Sequence, residues 1–195
     1  MKRLGIYFFF DKDGIVDKYV DYVLEDLTKH VDKLIVVCNG QLNERGRKTF
    51  EKFTGNIIVR ENKGFDVWAY KTAIDSEGWN KLIEYDEIIL MNYTIMGPVY
   101  PLKEMFDIMD KRLELDFWGI TKCFQENSPV AQQIWQCPYG YIPEHIQSSF
   151  MAFRRSIVSS TIFQKYWDEM PMIKSYYESG GSHEQYITEY FSDNG

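Results

Sequence analysis

The chain has 195 residues, 45% hydrophobic and 16% aromatic, with 22 basic against 29 acidic residues and a formal net charge of −7. That length and apolar content suit one domain over residues 1–195 with a core needing no staples, and they exclude disorder, collagen and coiled coil. The acidic balance argues against broad binding to nucleic acid or anionic lipid, both of which need a basic footprint.

The first half alternates strand and helix. Leu4–Phe10 is a continuous apolar run, as expected of a strand covered on both faces. Preceded by Met1-Lys2-Arg3, it has the outline of a signal peptide. It stops at Asp11-Lys12-Asp13, however, with no small-residue cleavage site, and is read as a buried strand. From Ile15 to His30 the apolar residues fall on one helical stripe. Leu34–Cys38 is the next strand, a charged helix covers about Asn43–Phe53, Asn56–Val59 is a third strand, and Phe65–Asp75 is a helix. Glu87–Met91 follows as a strand, then a Gly97-Pro98 turn, a helix over Leu102–Arg112 and a short strand at Phe117–Ile120. This order predicts an α/β fold: a mostly parallel sheet flanked by helices.

The second half is less regular. Gln125–Pro143 is rich in polar and turn residues and reads as a long functional loop. Ser148–Phe153 alternates as an edge or antiparallel strand, and Thr161–Met170 and Ser182–Ser192 read as helices, the latter with Ser182 as N-cap. No run approaches the roughly 18 apolar residues of a membrane span. The three cysteines, Cys38, Cys123 and Cys137, contain no CxxC pair, so neither a disulfide framework nor a zinc site is indicated. A reducing, cytoplasmic location is expected, with a peripheral place at the inner membrane face as the alternative.

In open α/β sheets ligands bind beyond the carboxyl ends of the strands. That places Asp11, Asn39, Glu61 to Asp66, Asn92 to Gly97 and Thr121 near a site. Asn62 and Gly64 can take positive φ, and the helix start after them either offers N–H groups to an anion or is capped by Asp66. No dinucleotide or P-loop pattern occurs.

The run Glu61-Asn62-Lys63-Gly64-Phe65-Asp66-Val67-Trp68-Ala69-Tyr70, followed by Tyr85 to Asn92, resembles the rhamnan synthesis protein F family. So do Gly97-Pro98-Val99-Tyr100-Pro101-Leu102, Asp116-Phe117-Trp118-Gly119-Ile120-Thr121 and His145-Ile146-Gln147-Ser148-Ser149-Phe150, in the same order. The resemblance implies a GT-A-like nucleotide-sugar-binding fold. It also implies transfer of rhamnose or a similar deoxyhexose from a nucleotide-diphosphate donor to a glycan or lipid-linked glycan during cell-wall or surface polysaccharide synthesis, alongside other polysaccharide-assembly proteins.

By that resemblance Asn62, Gly64 and Asp66 lie in the donor site, and His145 falls in a matching block. Asp11, Asn92 and Thr94 join them by the strand-end rule, and with no strong metal motif Arg154 and Arg155 are the candidates to counter a diphosphate. His145 could equally be a structural histidine, and the arginines surface ion-pair partners. Glu184, at a late helix start, is the candidate general base in an inverting displacement, or a first-turn residue favoured by the helix dipole. The family's strand-end motif is similar to Asn-Asp-Ser, where an acid would help hold Mg²⁺ or Mn²⁺. This chain has Asn92-Tyr93-Thr94, and amide and hydroxyl oxygens alone anchor such cations poorly, so metal dependence stays open. Trp118, Trp135, Tyr139 and Tyr141 are candidate sugar platforms, whereas Phe8, Phe9, Phe10 and Trp68 are assigned to the core. The Tyr93 departure keeps a second reading in play, a catalytically degenerate carbohydrate- or nucleotide-sugar-binding module. A nucleotidyltransferase is weaker, since paired strand-end aspartates are missing.

Overall fold

A computed structural model describes residues 1–194. The chain opens with β1 (Arg3–Phe10), α1 (Lys18–Leu27), β2 (Lys33–Asn39), α2 (Glu44–Glu51), β3 (Ile57–Arg60), α3 (Phe65–Glu77), α4 (Trp79–Leu82) and β4 (Glu87–Asn92). It continues through α5 (Leu102–Met109), β5 (Phe117–Gly119), β6 (Lys122–Cys123), α6 (Pro129–Trp135), β7 (His145–Ile146) and β8 (Phe150–Arg154). The last part holds α7 (Arg155–Val158), α8 (Thr161–Asp168), α9 (Tyr176–Ser179), a wide π-helical turn (Gly180–Glu184) and α10 (Gln185–Asn194).

The main sheet has six strands in the order β3-β2-β1-β4-β8-β5. The first four are parallel and β8 runs antiparallel to both its neighbours. Strands β6 and β7 form a small antiparallel pair. The α/β reading with a mostly parallel sheet therefore holds. Ser148–Phe153 is indeed antiparallel, but β8 lies inside the sheet, with β5 outside it.

The continuous apolar runs resolve into two alternating faces, as the period of two in a strand requires. Leu4, Ile6 and Phe8 of β1, Ile35 and Val37 of β2, and Ile88 and Leu90 of β4 enter one core with α3, α8 and α10. Tyr7 and Phe9, Val36 and Cys38, and Ile89 and Met91 enter the other, against α1, α2 and α5. Each such side chain contributes about 1.5–3 kcal/mol by leaving water, which is why these strands carry almost no polar residues.

Three expectations are corrected. Gln125–Pro143 is not structureless: Ser128 Oγ accepts from Ala131 N at 3.3 Å and Pro129 opens α6, while Glu126 and Ile142 form an antiparallel bridge. Ser182 is not an N-cap, because the helical path runs on from Tyr176 through the π-turn, and the cap upstream is Ser175, whose Oγ accepts from Glu178 N. The helix expected from Ile15 begins at Lys18, since Asp11 Oδ1 accepts from the N–H groups of Asp13 and Ile15 and holds that stretch in a turn. Among the described residues, no helix is long and apolar enough to cross a membrane.

Candidate functional site

Strand order reverses direction at β1: the chain goes to β2 and β3 on one side, then returns to β4 on the other. Such a switch point leaves a crevice beyond the carboxyl ends of the two strands. A crevice of about 550 Å³ lies there, lined by Phe8 and Phe10 of β1, by Asn92 at the end of β4 and by Tyr93 and Thr94 after it. The start of α3 (Asp66), the segment before β8 (Gln147–Ser149), Trp135, Tyr176 and the π-turn (Gly180, Glu184) complete the wall.

Two carboxylates meet across Ser148. Glu184 Oε2 accepts from Ser148 N at 2.9 Å and from Ser148 Oγ at 2.7 Å. Asp66 Oδ2 lies 3.5 Å from the same hydroxyl and accepts from Asn92 Nδ2 at 3.0 Å. Asp66 Oδ1 accepts from Val67 N at 3.0 Å and from Ser179 Oγ at 3.4 Å. A hydroxyl has one proton, and the shorter contact assigns it to Glu184. Burial pushes the Asp66 carboxyl above its ordinary range. The hydrogen bonds from Asn92 and Val67 oppose that shift, and the nearby Glu184 charge adds to it.

Glu184 owes its place to the wide turn. Gly180 and Gly181 let the turn close on α6: a Cβ on Gly180 would stand 2.3 Å from the Trp135 ring, and one on Gly181 1.8 Å from the Trp135 carbonyl oxygen. Its neighbour His183 goes the other way into the core, where Tyr166 Oη and His183 Nδ1 are 2.6 Å apart.

Of the residues the sequence singles out, the structure brings Asn62, Asp66, Asn92, Thr94, Trp135 and Glu184 to one crevice. Gly64 borders the adjoining cavity instead, where it takes φ +75°. The second positive-φ residue at this junction is Phe65 (φ 56°), not Asn62. The other candidates lie elsewhere. Asp11 serves its own turn, and His145 is buried in β7 with Nδ1 2.8 Å from Pro143 O.

Arg154 ends an antiparallel strand, so it sits at the opposite edge of the sheet. There, buried, its guanidinium lies 3.2 Å from Glu87 and donates to Met109 O. Arg155 pairs with Asp86 at that same edge. Trp118 is 4% exposed and its Nε1 donates to Glu87 at 2.8 Å, which makes it core rather than a platform. Tyr139 and Tyr141 spend their hydroxyls on Asp193 and Glu189 of α10. Ser148, Ser179 and Tyr176 were missed. Ser148 belongs to the run His145-Ile146-Gln147-Ser148-Ser149-Phe150, but only its position before an antiparallel strand brings it to the crevice.

The donor set at the end of β4 does not fit a divalent cation. Asn92 Oδ1 accepts from Thr94 N and its Nδ2 is given to Asp66. The Tyr93 ring packs edge-on against Phe8 and Phe9, with centroids 5.6 Å apart in each pair. Among the described residues, no three His, Cys, Asp or Glu side chains stand together as metal ligands.

Residues 34–195 match the sequence profile described as Rhamnan synthesis protein F. The uncharacterized protein y4gN of Sinorhizobium fredii is 23% identical over 150 residues, covering 76% of this chain and 35% of the relative. Glucosyl-3-phosphoglycerate synthase from Mycobacterium tuberculosis, in complex with uridine diphosphate, superposes with TM-score 0.48 and 12% identity over 80% of this chain and 57% of that one. Its complex with phosphoglyceric acid gives TM-score 0.49 over the same shares. The chain therefore spans about a third of the length of the curated relative and a little over half of the solved chains.

Proposed function

The chain belongs to the rhamnan synthesis protein F family, and on that premise we propose that it is a GT-A-like glycosyltransferase domain using a nucleotide-sugar donor. The observation that carries this reading is the meeting of Asp66, Asn92, Ser148 and Glu184 at the switch-point crevice. The sugar transferred is rhamnose or a similar deoxyhexose. Its acceptor is a glycan or lipid-linked glycan of a surface polysaccharide.

Glu184 acts as general base. Ser148 holds one of its oxygens with two hydrogen bonds, which fixes the carboxylate while the side chain borders the crevice. An acceptor hydroxyl there gives its proton to Glu184 as its oxygen attacks the anomeric carbon, in a single inverting displacement. Asp66 orients Asn92 and borders the sugar. Trp135, packed on Tyr176 and Tyr177 with centroids 5.6 and 5.5 Å apart, offers a ring face to the C–H patches of a sugar. No step is assigned to a metal.

Tyr93, standing where the strand-end acid would be and packed on Phe8 and Phe9, favours one second reading, a domain that binds a nucleotide sugar without turning it over. Both are tested by incubating the chain with dTDP-, UDP- and GDP-sugars, with and without Mn²⁺, and following donor consumption. Turnover should survive chelation, and Glu184→Gln should lower kcat by about 10²- to 10⁴-fold, the usual worth of a positioned base. Binding without turnover would select the second reading. Turnover undiminished in the variant would remove Glu184 from its role.

A further inference from the structure

We propose that a second cavity, of about 550 Å³ and sharing Asn62 and Phe65 with the carboxylate crevice, is a diphosphate subsite whose charge is met by Lys63 and Lys174. This deepens the donor reading above and rests on it.

The two cavities differ in sign. The crevice is lined by Asp66 and Glu184 and by no lysine or arginine. A diphosphate placed there would face two carboxylates with nothing to offset the repulsion. The adjoining cavity is lined by both lysines and no acid, with Met172 and Ile173 as its apolar floor. A nucleotide sugar lying across the shared wall therefore has one orientation of lowest electrostatic energy, with sugar at the carboxylates and phosphates at the lysines. Arg154 cannot serve, being buried at the far edge of the sheet.

Both walls are built. Arg60 donates to Asn39 Oδ1 at 2.7 Å and to Lys63 O at 2.8 Å, and Asn39 Nδ2 donates to Phe65 O at 3.0 Å. These bonds hold Gly64 and Phe65 in successive left-handed conformations, a costly backbone state that persists only where its surroundings impose it. Its result is a Phe65 ring, 37% exposed, on the wall between the cavities. Opposite, Trp68 Nε1 donates to Pro171 O at 2.7 Å and fastens the segment carrying Met172 and Lys174 to α3.

Two carboxylates lie near the lysines. Glu61 pairs with Lys63 at 2.8 Å, both well exposed, and Glu178 accepts from Lys174 N at 2.8 Å. An arriving diphosphate displaces Glu61 from Lys63. In the displacement, the anomeric carbon's bond to the acceptor oxygen forms as its bond to the phosphate oxygen breaks. That electron pair stays on the departing nucleoside diphosphate, beside the lysines, and the acceptor proton goes to Glu184.

The test is calorimetric titration of the intact chain with UDP, dTDP, inorganic pyrophosphate and the nucleosides uridine and thymidine, without divalent cations. Lys63→Ala/Lys174→Ala should weaken the diphosphates and pyrophosphate about tenfold or more, leave the nucleosides unchanged, and keep the wild-type Tm. Glu61→Gln should tighten pyrophosphate about twofold to fivefold by freeing Lys63. Unchanged diphosphate affinity in the double variant would overturn the subsite while leaving the donor reading intact. Pyrophosphate binding that depends on the lysines, with no nucleotide bound, would keep the subsite, fed by a phosphorylated acceptor, and sink the donor reading. No binding of either to the wild type would overturn both.

Discussion

Burial lowers the pKa of the His183 imidazole to about 3, with Tyr166 Oη at Nδ1 and Nε2 buried without a partner. The folded state holds this ring neutral, whereas the unfolded chain protonates it near the ordinary histidine value. Between the two the unfolded state binds more protons, so stability is full above about 6.5 and falls as pH drops. The slope from this residue is about 1.4 kcal/mol per pH unit, or about 2 kcal/mol between pH 6.5 and 5. Asp66 acts with the opposite sign. Its carboxyl is raised in the folded state, so its contribution falls as pH rises through the carboxylate range and partly offsets the histidine at the acid end. Urea unfolding at pH 7 and 5 should show the loss in the wild type and a clearly smaller one in His183→Gln. Equal losses would mean that the ring does not report its burial. A place on the crevice wall was legible where a residue ends a parallel strand, as Asn92 does, or opens a helix at the same edge, as Asp66 does. Arg154 was misplaced because β8 runs the other way, which puts its last residue at the far edge and sends Ser148, before its start, to the crevice.

At the far edge, strands β1, β4, β8 and β5 share a buried ionic group that alternation alone does not reveal. Glu87, 0% exposed, takes Arg3 Nε at 2.7 Å, Trp118 Nε1 at 2.8 Å and Arg154 at 3.2 Å, and Arg3 also pairs with Asp110. Glu87→Gln keeps the shape but leaves two buried guanidinium groups with half their counter-charge. It should cost about 3–5 kcal/mol, read as a fall in the urea midpoint at constant slope. A change below about 1 kcal/mol would show that water already shares these charges. The elements themselves divide by origin. β1, β2 and β4 were legible because two apolar faces leave a continuous apolar run. Helix α6 was hidden, since none of its residues is buried and only Ser128-Pro129 marked its start. The π-turn carries no periodic signal of its own. It exists because Gly180 and Gly181 admit Trp135 against the backbone.

Across the molecule, cohesion is uneven. β1 is paired on both sides from Leu4 to Phe8 and buried on both faces, whereas the segment around α6 is held by one bridge and a few side-chain contacts. Hydrogen exchange followed by mass spectrometry should find β1 and β4 exchanging last, near the global unfolding limit, and residues 124–136 first. Early exchange in β1 would contradict the two-sided core. By itself the sequence determined the alternation of strands and helices, the mostly parallel sheet and the edge at which the crevice opens. Those follow from local periodicity and from the chirality of crossover connections. Only the tertiary structure decided which polar residues meet at that edge. Asp66, Ser148 and Glu184 are far apart in the chain, and their approach depends on the reversed direction of β8 and the wide turn before α10. The aromatic surplus was sorted in the same way. Trp118 went to the core and Trp135 to the crevice wall, because burial is set by what packs across the sheet rather than by a residue's neighbours in sequence.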